Sequence, residues 1–180
     1  MSTTQQTQQR MQDSRQDLQA ADGLKRIRET VKKTPTCFFT TALEFGDSGG
    51  ARPMSVLQVD DQGRLWFLSA SDSHHNAEIT ANPLVTLYFQ GSEHADFLQL
   101  KGRARILVDR AKINELWSPL FKPWFNDGVD DPRITLIEVT PTDGYYWDNK
   151  HGNLVAGIKM LLGAALGKPI DDAVHGRVRI

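Results

Sequence analysis

Chemically useful side chains are concentrated where a strand-like apolar run, Trp66 to Ser69, gives way to polar residues. Ser73 has the position of an N-cap residue for a helix that follows. A helix N-terminus offers free backbone N–H groups and the positive end of the helix dipole, and both stabilise a bound phosphate. The segment therefore indicates an anion site, to which the Ser69 hydroxyl and the rings of His74 and His75 can add hydrogen bonds.

Arg52 lies in a neighbouring strand-like run and supplies a guanidinium group, whose planar set of donors matches phosphate oxygens. The alternative interpretation is structural: an ordinary capped helix after a strand, with His74 and His75 at the surface. Residue chemistry taken alone slightly favours this structural alternative.

Metal binding is not indicated. Adjacent histidines such as His74 and His75 rarely point at one ion, and no Cys, His and carboxylate spacing typical of zinc is present. The acidic segment around Asp127, Asp130 and Asp131 lacks the twelve-residue pattern of a calcium loop. We interpret it as a solvated acidic loop.

The elements that would position these residues are mostly strands. Asp60 to Gly63 has the composition of a hairpin turn, and residues alternate between apolar and polar from Phe97 to Val108, where Gly102 indicates a bend or bulge. Few helices separate the strands, which favours an antiparallel barrel or sandwich over a parallel α/β fold. The predicted strands are residues 36–42, 52–59, 64–70, 84–90, 97–108, 134–140, 145–147 and 178–180.

Length and composition predict one globular domain. The chain has 180 residues, 39% of them hydrophobic and 24% charged, with a net charge of −1. We expect a disordered polar tail over residues 1–20, a domain over 21–150 and a C-terminal helix and tail over 151–180 that packs on the barrel. Helices capped by Asp22 and by Asp109 are predicted within the domain.

The charge balance argues against nucleic-acid binding, which normally requires a basic excess. The first residues lack the apolar segment of a signal peptide, and the apolar stretch from Leu154 to Leu166 is too short to span a bilayer. We therefore expect a cytoplasmic protein with no membrane partner. The single cysteine, Cys37, cannot form an internal disulfide, and we expect it to be buried.

An ordered series of short motifs resembles the pyridoxamine-phosphate-oxidase-like flavoproteins. No single motif is specific, but their order and spacing are, over roughly residues 22–150. The motifs are Arg52-Pro53-Met54-Ser55-Val56-Leu57, Trp66-Phe67-Leu68-Ser69, Ser73-His74-His75, Asn82-Pro83-Leu84-Val85 and Gly102-Arg103-Ala104. A further set resembles the general stress protein branch of that superfamily: Glu115-Leu116-Trp117, Trp124-Phe125, Gly128, Asp130-Asp131-Pro132 and Tyr146-Trp147-Asp148.

The resemblance implies a mainly β fold, a six-stranded antiparallel split β-barrel with a few flanking helices. It also implies a homodimer with two FMN sites at the subunit interface, with FAD as an open alternative. Three roles stay open: a flavin-dependent oxidoreductase acting on an unknown small molecule, a non-catalytic flavin-binding protein that stores or senses flavin, and an interaction module without its cofactor.

The resemblance also assigns cofactor-binding residues. It places Arg52 on the flavin phosphate, completed by Leu68, Ser69 and the pair His74 and His75. Backbone near Pro53, Met54 and Ser55 faces the isoalloxazine ring, and Trp147 comes from the second subunit. Trp124 is added as an aromatic residue of a Pro-rich loop, where an exposed apolar pair tends to mark an interface or lid. Simple loop packing is the alternative for Trp124.

Two departures from the family pattern matter. The family's basic pair is usually Arg-Lys, whereas here it is His74-His75, so we expect a weaker or pH-dependent flavin affinity as a histidine titrates near pH 6.5. Phe97 stands where the true oxidase has glutamine, and residues 149–158 lack its substrate-holding Arg-x-His pair. We therefore do not expect pyridoxamine phosphate oxidation.

Overall fold

The computed structural model describes residues 14–43, 50–92, 96–149 and 173–180. The helices are α1 (Ala20–Lys33), α2 (His74–Ala81) and α3 (Arg110–Leu116), with two 3₁₀ turns at Pro119–Phe121 and Gly128–Asp130. The strands are β1 (Thr36–Thr41), β2 (Ala51–Ser55), β3 (Gln58–Val59), β4 (Leu65–Ala70), β5 (Leu84–Gln90), β6 (Phe97–Leu107), β7 (Ile134–Asn149) and β8 (Ala173–Val178).

All these strands form one antiparallel sheet in the order β2-β1-β5-β6-β7-β4-β3, with β8 added to β7. The strands at the two ends of this order, β2 and β3, are separated in the chain only by Val56 and Leu57. The Val56 amide donates to the Pro35 carbonyl, and the Leu57 amide donates to the Trp66 carbonyl. The sheet must therefore curl until its ends meet, which is the split barrel that the family resemblance implies.

Two strand boundaries differ from the predicted ones for local reasons. The predicted strand over residues 52–59 bends at Val56 and is divided into β2 and β3. The two closing strands, predicted over 134–140 and 145–147, are one strand of 16 residues, β7. Its first half pairs with β4 and its second half with β8, while β6 runs along the other side.

A bulge at Gly102 explains how β7 continues through a segment with the composition of a turn. Lys101 pairs with Asp143 but Gly102 pairs with Pro141, so Thr142 has no partner across from it. A Cβ on Gly102 would lie 2.6 Å from the Thr140 carbonyl oxygen, closer than atoms can approach. The predicted bend at Gly102 is confirmed, and glycine is required there because two backbones touch.

The barrel interior is filled by side chains from alternate strand positions, as the period of a strand requires. Phe39, Phe67 and Leu87 are fully buried at its centre, and Cys37 lies in the same cluster, as predicted. Burial raises the pKa of the Cys37 thiol to about 12. A second cluster, which contains Trp66, packs beneath α3.

Helix α1 begins at Ala20, after Gln19, so the prediction that Asp22 caps it is wrong. Asp22 lies instead in the first turn, where a carboxylate is still favourable to the helix dipole. The Asp109 cap on α3 is confirmed, because its side chain accepts a hydrogen bond from the Lys112 amide.

Residues 14–18 run beside β8, although their polar composition assigned them to a disordered tail. The Gln16 amide donates to the His175 carbonyl at 2.8 Å and the Leu18 amide donates to the Arg177 carbonyl at 2.7 Å. Backbone pairing of this kind does not depend on apolar side chains, which is why composition did not predict it. The predicted C-terminal helix, in residues 151–172, lies outside the described residues. Among the helices of the described ranges, none is long and apolar enough to cross a membrane.

The close approach at Gly102 can be tested by substitution. Gly102→Ala should destabilise the protein by about 1–3 kcal/mol, because the added methyl group collides with the backbone of β7. Urea unfolding measures the change. Arg103→Ala, at the next and exposed position of β6, is the matched control and should change stability by less than about 0.5 kcal/mol. Equal unfolding midpoints for the two variants would contradict the explanation.

Candidate functional site

A cleft of about 870 Å³ lies between β2, the end of β4, the N-terminus of α2 and the loop that precedes β7. The cleft collects residues from four separate parts of the chain because β2 and β4 approach each other where the barrel closes. Nine of the ten residues predicted to bind a cofactor line it: Arg52, Pro53, Met54, Ser55, Leu68, Ser69, His74, His75 and Trp124.

The N-terminus of α2 is built as predicted. The Ser73 hydroxyl accepts a hydrogen bond from the Asn76 amide at 3.2 Å, and the Ser69 hydroxyl lies 3.2 Å from that of Ser73. His74 and His75 occupy the first two helical positions, whose amides have no acceptor within the helix. This end of the cleft therefore offers hydroxyl and N–H donors to an anion.

Arg52 is not a free cation. Its Nη1 and Nη2 donate to the two carboxylate oxygens of Glu78 at 2.7 and 2.8 Å. Glu78 lies on α2 and is fully buried, and the Thr41 hydroxyl donates to its Oε2 at 2.7 Å. Sequence reasoning missed Glu78, although its place three residues after His75 puts both residues on the same side of the helix.

His75 is buried, with 3% of its surface exposed, and its ring packs edge-on against Phe39 at 4.4 Å. Burial lowers the pKa of His75 to about 4. The nearby charge of Arg52 also lowers this pKa, whereas the Glu78 carboxylate raises it. The expectation that His75 titrates near pH 6.5 is therefore wrong. Desolvation of the ring disfavours its charged form, and composition does not reveal burial.

The Nε2 atom of His75 is buried and has no hydrogen-bond partner within the described part of the chain. Buried polar atoms are nearly always paired, and an exception at the wall of a cleft indicates a place for a ligand atom. A neutral imidazole can donate from Nε2–H to an oxygen without carrying a charge.

A second arginine, Arg133, also lines the cleft and was missed by sequence reasoning. Its Nη2 donates to Asp131 at 2.8 Å and to the Trp124 carbonyl at 3.1 Å. The Arg133 guanidinium holds the pKa of Asp131 below its usual range. Trp124 is 66% exposed at the rim, whereas Phe125 is buried in the cluster beneath α3. Of the predicted pair, only Trp124 is therefore available to a ligand or partner.

Trp147 does not line this cleft. It borders a second depression, of about 750 Å³, together with the exposed rings of Phe38 and Tyr88. Thr36 and Pro53 line both depressions, so they adjoin across β1 and β2. The expected contribution of Trp147 from a second subunit stays a prediction.

The donors of the cleft suit a phosphate-bearing ligand. Unpaired helix amides, an unpaired imidazole nitrogen and guanidinium groups are the donors that proteins use for phosphate. Metal binding has no comparable support, since the described ranges contain no cluster of three or more His, Cys, Asp or Glu side chains.

Comparison with known proteins agrees with the fold. Residues 22–171 match the family described as "Pyridoxamine 5'-phosphate oxidase like". General stress protein 26 of Bacillus subtilis (strain 168) is 28% identical over 83 residues, which are 44% of this chain and 58% of that protein. The match thus spans less than two thirds of this curated relative.

Two crystal structures extend the comparison. A general stress protein 26 from Jannaschia sp. CCS1 superposes with a TM-score of 0.72 and 21% identity, over 89% of this chain and 100% of that one. At this identity the likeness shows the fold alone. The general stress FMN/FAD binding protein from the phytopathogen Xanthomonas citri has a TM-score of 0.56 and 26% identity, over 66% of this chain and 82% of that one.

The burial of His75 predicts a pH dependence of stability. Its pKa is about 4 when folded and about 6.5 when unfolded, so its contribution is complete above pH 6.5 and is lost as the pH falls toward 4. Between pH 7 and pH 5 the free energy of unfolding should fall by about 2 kcal/mol because of His75, and a His75→Gln variant should not show this decrease. Urea unfolding at both pH values measures the difference.

His74→Gln is the matched control, because His74 is the neighbouring residue on the same helix. The His74→Gln variant should show the same decrease in stability between pH 7 and pH 5 as the parent protein. Equal pH dependence in the parent protein and in His75→Gln would show that the buried ring is not the titrating group.

Proposed function

Because this chain belongs to the pyridoxamine 5'-phosphate oxidase-like family, we propose that it binds a flavin nucleotide, FMN in the first instance, in the cleft beside α2. One observation carries the proposal: the fold gathers nine of the predicted residues at a helix N-terminus where the buried Nε2 of His75 lacks a partner. The Xanthomonas citri relative, an FMN/FAD binding protein by name, supports a flavin as the ligand class.

The phosphate would lie at the N-terminus of α2. The amides of His74 and His75, the Ser69 hydroxyl and the remaining N–H groups of Arg52 would donate to its oxygens. Arg52 has five N–H donors, and its bonds to Glu78 use two of them. Glu78 also fixes the plane of the guanidinium, so little side-chain entropy is lost when the phosphate binds.

The ring system would lie over the backbone of β2, near Met54 and Ser55, with Leu68 on the β4 side. Trp124 and Phe121 also line the cleft, and their rings would exclude water from the bound flavin. When bound, the flavin supplies the redox chemistry, while the protein supplies position and electrostatics. Phe97, where the true oxidase has glutamine, lines the second depression and not this cleft.

Flavin binding is tested by titrating the purified protein with FMN and with riboflavin, using flavin fluorescence. FMN should bind at micromolar concentration or below, and riboflavin should bind more weakly because it lacks the phosphate. Absence of saturable binding of both compounds would refute the proposal.

The role of Arg52 requires a paired variant. Arg52→Ala would leave the buried Glu78 carboxylate without its partner and destabilise the protein by about 3–5 kcal/mol. The variant Arg52→Gln/Glu78→Gln replaces the ion pair by neutral hydrogen-bonding groups. It should weaken FMN binding by on the order of 1.5–3 kcal/mol and leave riboflavin binding unchanged.

A matched control exists outside the cleft. Arg105 donates to both carboxylate oxygens of the buried Glu138, at 2.8 and 3.0 Å. The variant Arg105→Gln/Glu138→Gln removes a second bidentate pair with a buried carboxylate, to which Arg64 also donates, and should leave FMN affinity at the parental value. An equal loss of FMN affinity in both double variants would assign the effect to stability and not to the site.

The second part of the proposal is a homodimer formed through an aromatic patch, which consists of Phe38, Tyr88 and Trp147. The three side chains are 59, 44 and 44% exposed, and Phe38 pairs with Tyr88 across β1 and β5. Exposed apolar patches of this kind mark interaction surfaces. The patch adjoins the cleft through Thr36 and Pro53. A second copy of the chain bound at the patch would therefore place its own Trp147 beside the cleft of the first copy.

Sedimentation equilibrium tests the dimer. The parent protein should have about twice the chain mass of 20.2 kDa, and Tyr88→Lys should shift it to the monomer and weaken FMN binding. Val108→Lys is the control, because Val108 is 72% exposed but lies outside the patch. A monomeric parent protein that binds FMN tightly would contradict this part of the proposal.

A further inference from the structure

The phosphate end of the cleft has many donors but little net positive charge. Arg52 is matched by the fully buried Glu78, and the Thr41 hydroxyl donates to the same carboxylate. Two bonds of 2.7 and 2.8 Å hold this pair in one plane. The guanidinium therefore approaches a ligand as one half of a neutral pair and not as an isolated cation.

The other charged groups that face the cleft are balanced in the same way. Arg133 is bonded to the buried Asp131, with Asp72 at 3.9 Å as a further carboxylate. His75 is buried and neutral at physiological pH. His74, at the first position of α2, is the remaining titratable side chain among the described residues that line the cleft.

A helix N-terminus contributes the equivalent of about half a positive charge. Together with neutral donors, it can balance one negative charge but not two. A phosphate monoester such as that of FMN carries nearly two charges above its second pKa, which is about 6, and one charge below it. FAD carries a pyrophosphate, and each of its two phosphates holds one charge at every pH of interest.

We propose that Glu78 makes this end of the cleft selective for a singly charged phosphate group. The inference rests on the proposed flavin site and specifies the charge of the phosphate that it accepts. Glu78 does not touch the ligand in this proposal. It acts through Arg52, by cancelling the charge of a guanidinium whose free N–H groups still donate.

The singly charged phosphate has two sources, and titration distinguishes them. If the monoanion of FMN is preferred, FMN binding takes up a proton, so its affinity must rise as the pH falls through about 6. FAD has no phosphate group that titrates in this range, so its affinity should stay constant. Any contribution of His74 to the pH dependence of affinity would appear with both FMN and FAD. The FAD titration therefore corrects for it.

The experiment is a fluorescence titration of the full chain with riboflavin, FMN and FAD between pH 5 and pH 8. The affinity for FMN, relative to FAD, should rise roughly tenfold or more from pH 7.5 to pH 5. In Glu78→Gln, Arg52 keeps its charge without the carboxylate, so this rise should disappear or reverse. Glu138→Gln is the matched control, because it removes a buried carboxylate that is bonded to Arg105 outside the cleft, and it should keep the parental pH profile.

Each outcome has one meaning. Absence of binding of all three flavins would refute the flavin site itself and this inference with it. Flavin binding with an FMN-to-FAD ratio that stays constant or falls toward pH 5 would overturn only the charge selectivity. An unchanged pH profile in a folded Glu78→Gln would remove Glu78 as its cause. Should Glu78→Gln fail to fold, the comparison of FMN with FAD in the parent protein still decides the charge preference.

Discussion

The ion pair between Arg52 and Glu78 is the contact on which the site depends. Arg52 belongs to β2 and Glu78 to α2, so the pair ties one end of the curled sheet to the helix whose N-terminus faces the cleft. A fully buried carboxylate is stable only with such a partner, and removal of either group leaves a buried charge unpaired. The same two hydrogen bonds thus orient the guanidinium and help to hold the helix, together with the Asn76 side chain, which donates to the Thr135 hydroxyl.

Closure of the barrel determines where the cleft lies. Only Val56 and Leu57 separate β2 from β3, so the two ends of the sheet are forced together. The cleft forms where they meet, beside the end of β4 and below the loop that carries Trp124. The bulge at Gly102 lets β7 follow this curvature, because the extra residue in β7 increases the local twist of the pair of strands. The curvature of the sheet, the cleft and the position of α2 are therefore linked.

The electrostatics of the cleft follow from burial. Two arginines line it, yet each is bonded to a buried carboxylate, and desolvation keeps His75 neutral. The cleft therefore keeps its hydrogen-bond donors although its net charge is small. Because a low-dielectric wall makes each uncompensated charge expensive, the proposed site would distinguish ligands by the positions of their oxygens and by the number of their charges.

The resemblance to a known family assigned the nine predicted cofactor-binding residues that line the cleft. The sequence by itself predicted most of the strands and the Ser73 cap. These features rest on local patterns: alternation from Phe97 to Leu107, the hairpin turn after β3, and serine before a helix. It also predicted the bulge at Gly102, because a glycine inside a long strand commonly marks a bulge or a close approach of two backbones. Tertiary structure alone decided the electrostatic state of the site. Burial of His75, pairing of Arg52 with Glu78 and the approach of Arg133 join residues that are distant in the chain, and single-residue chemistry gives no measure of desolvation.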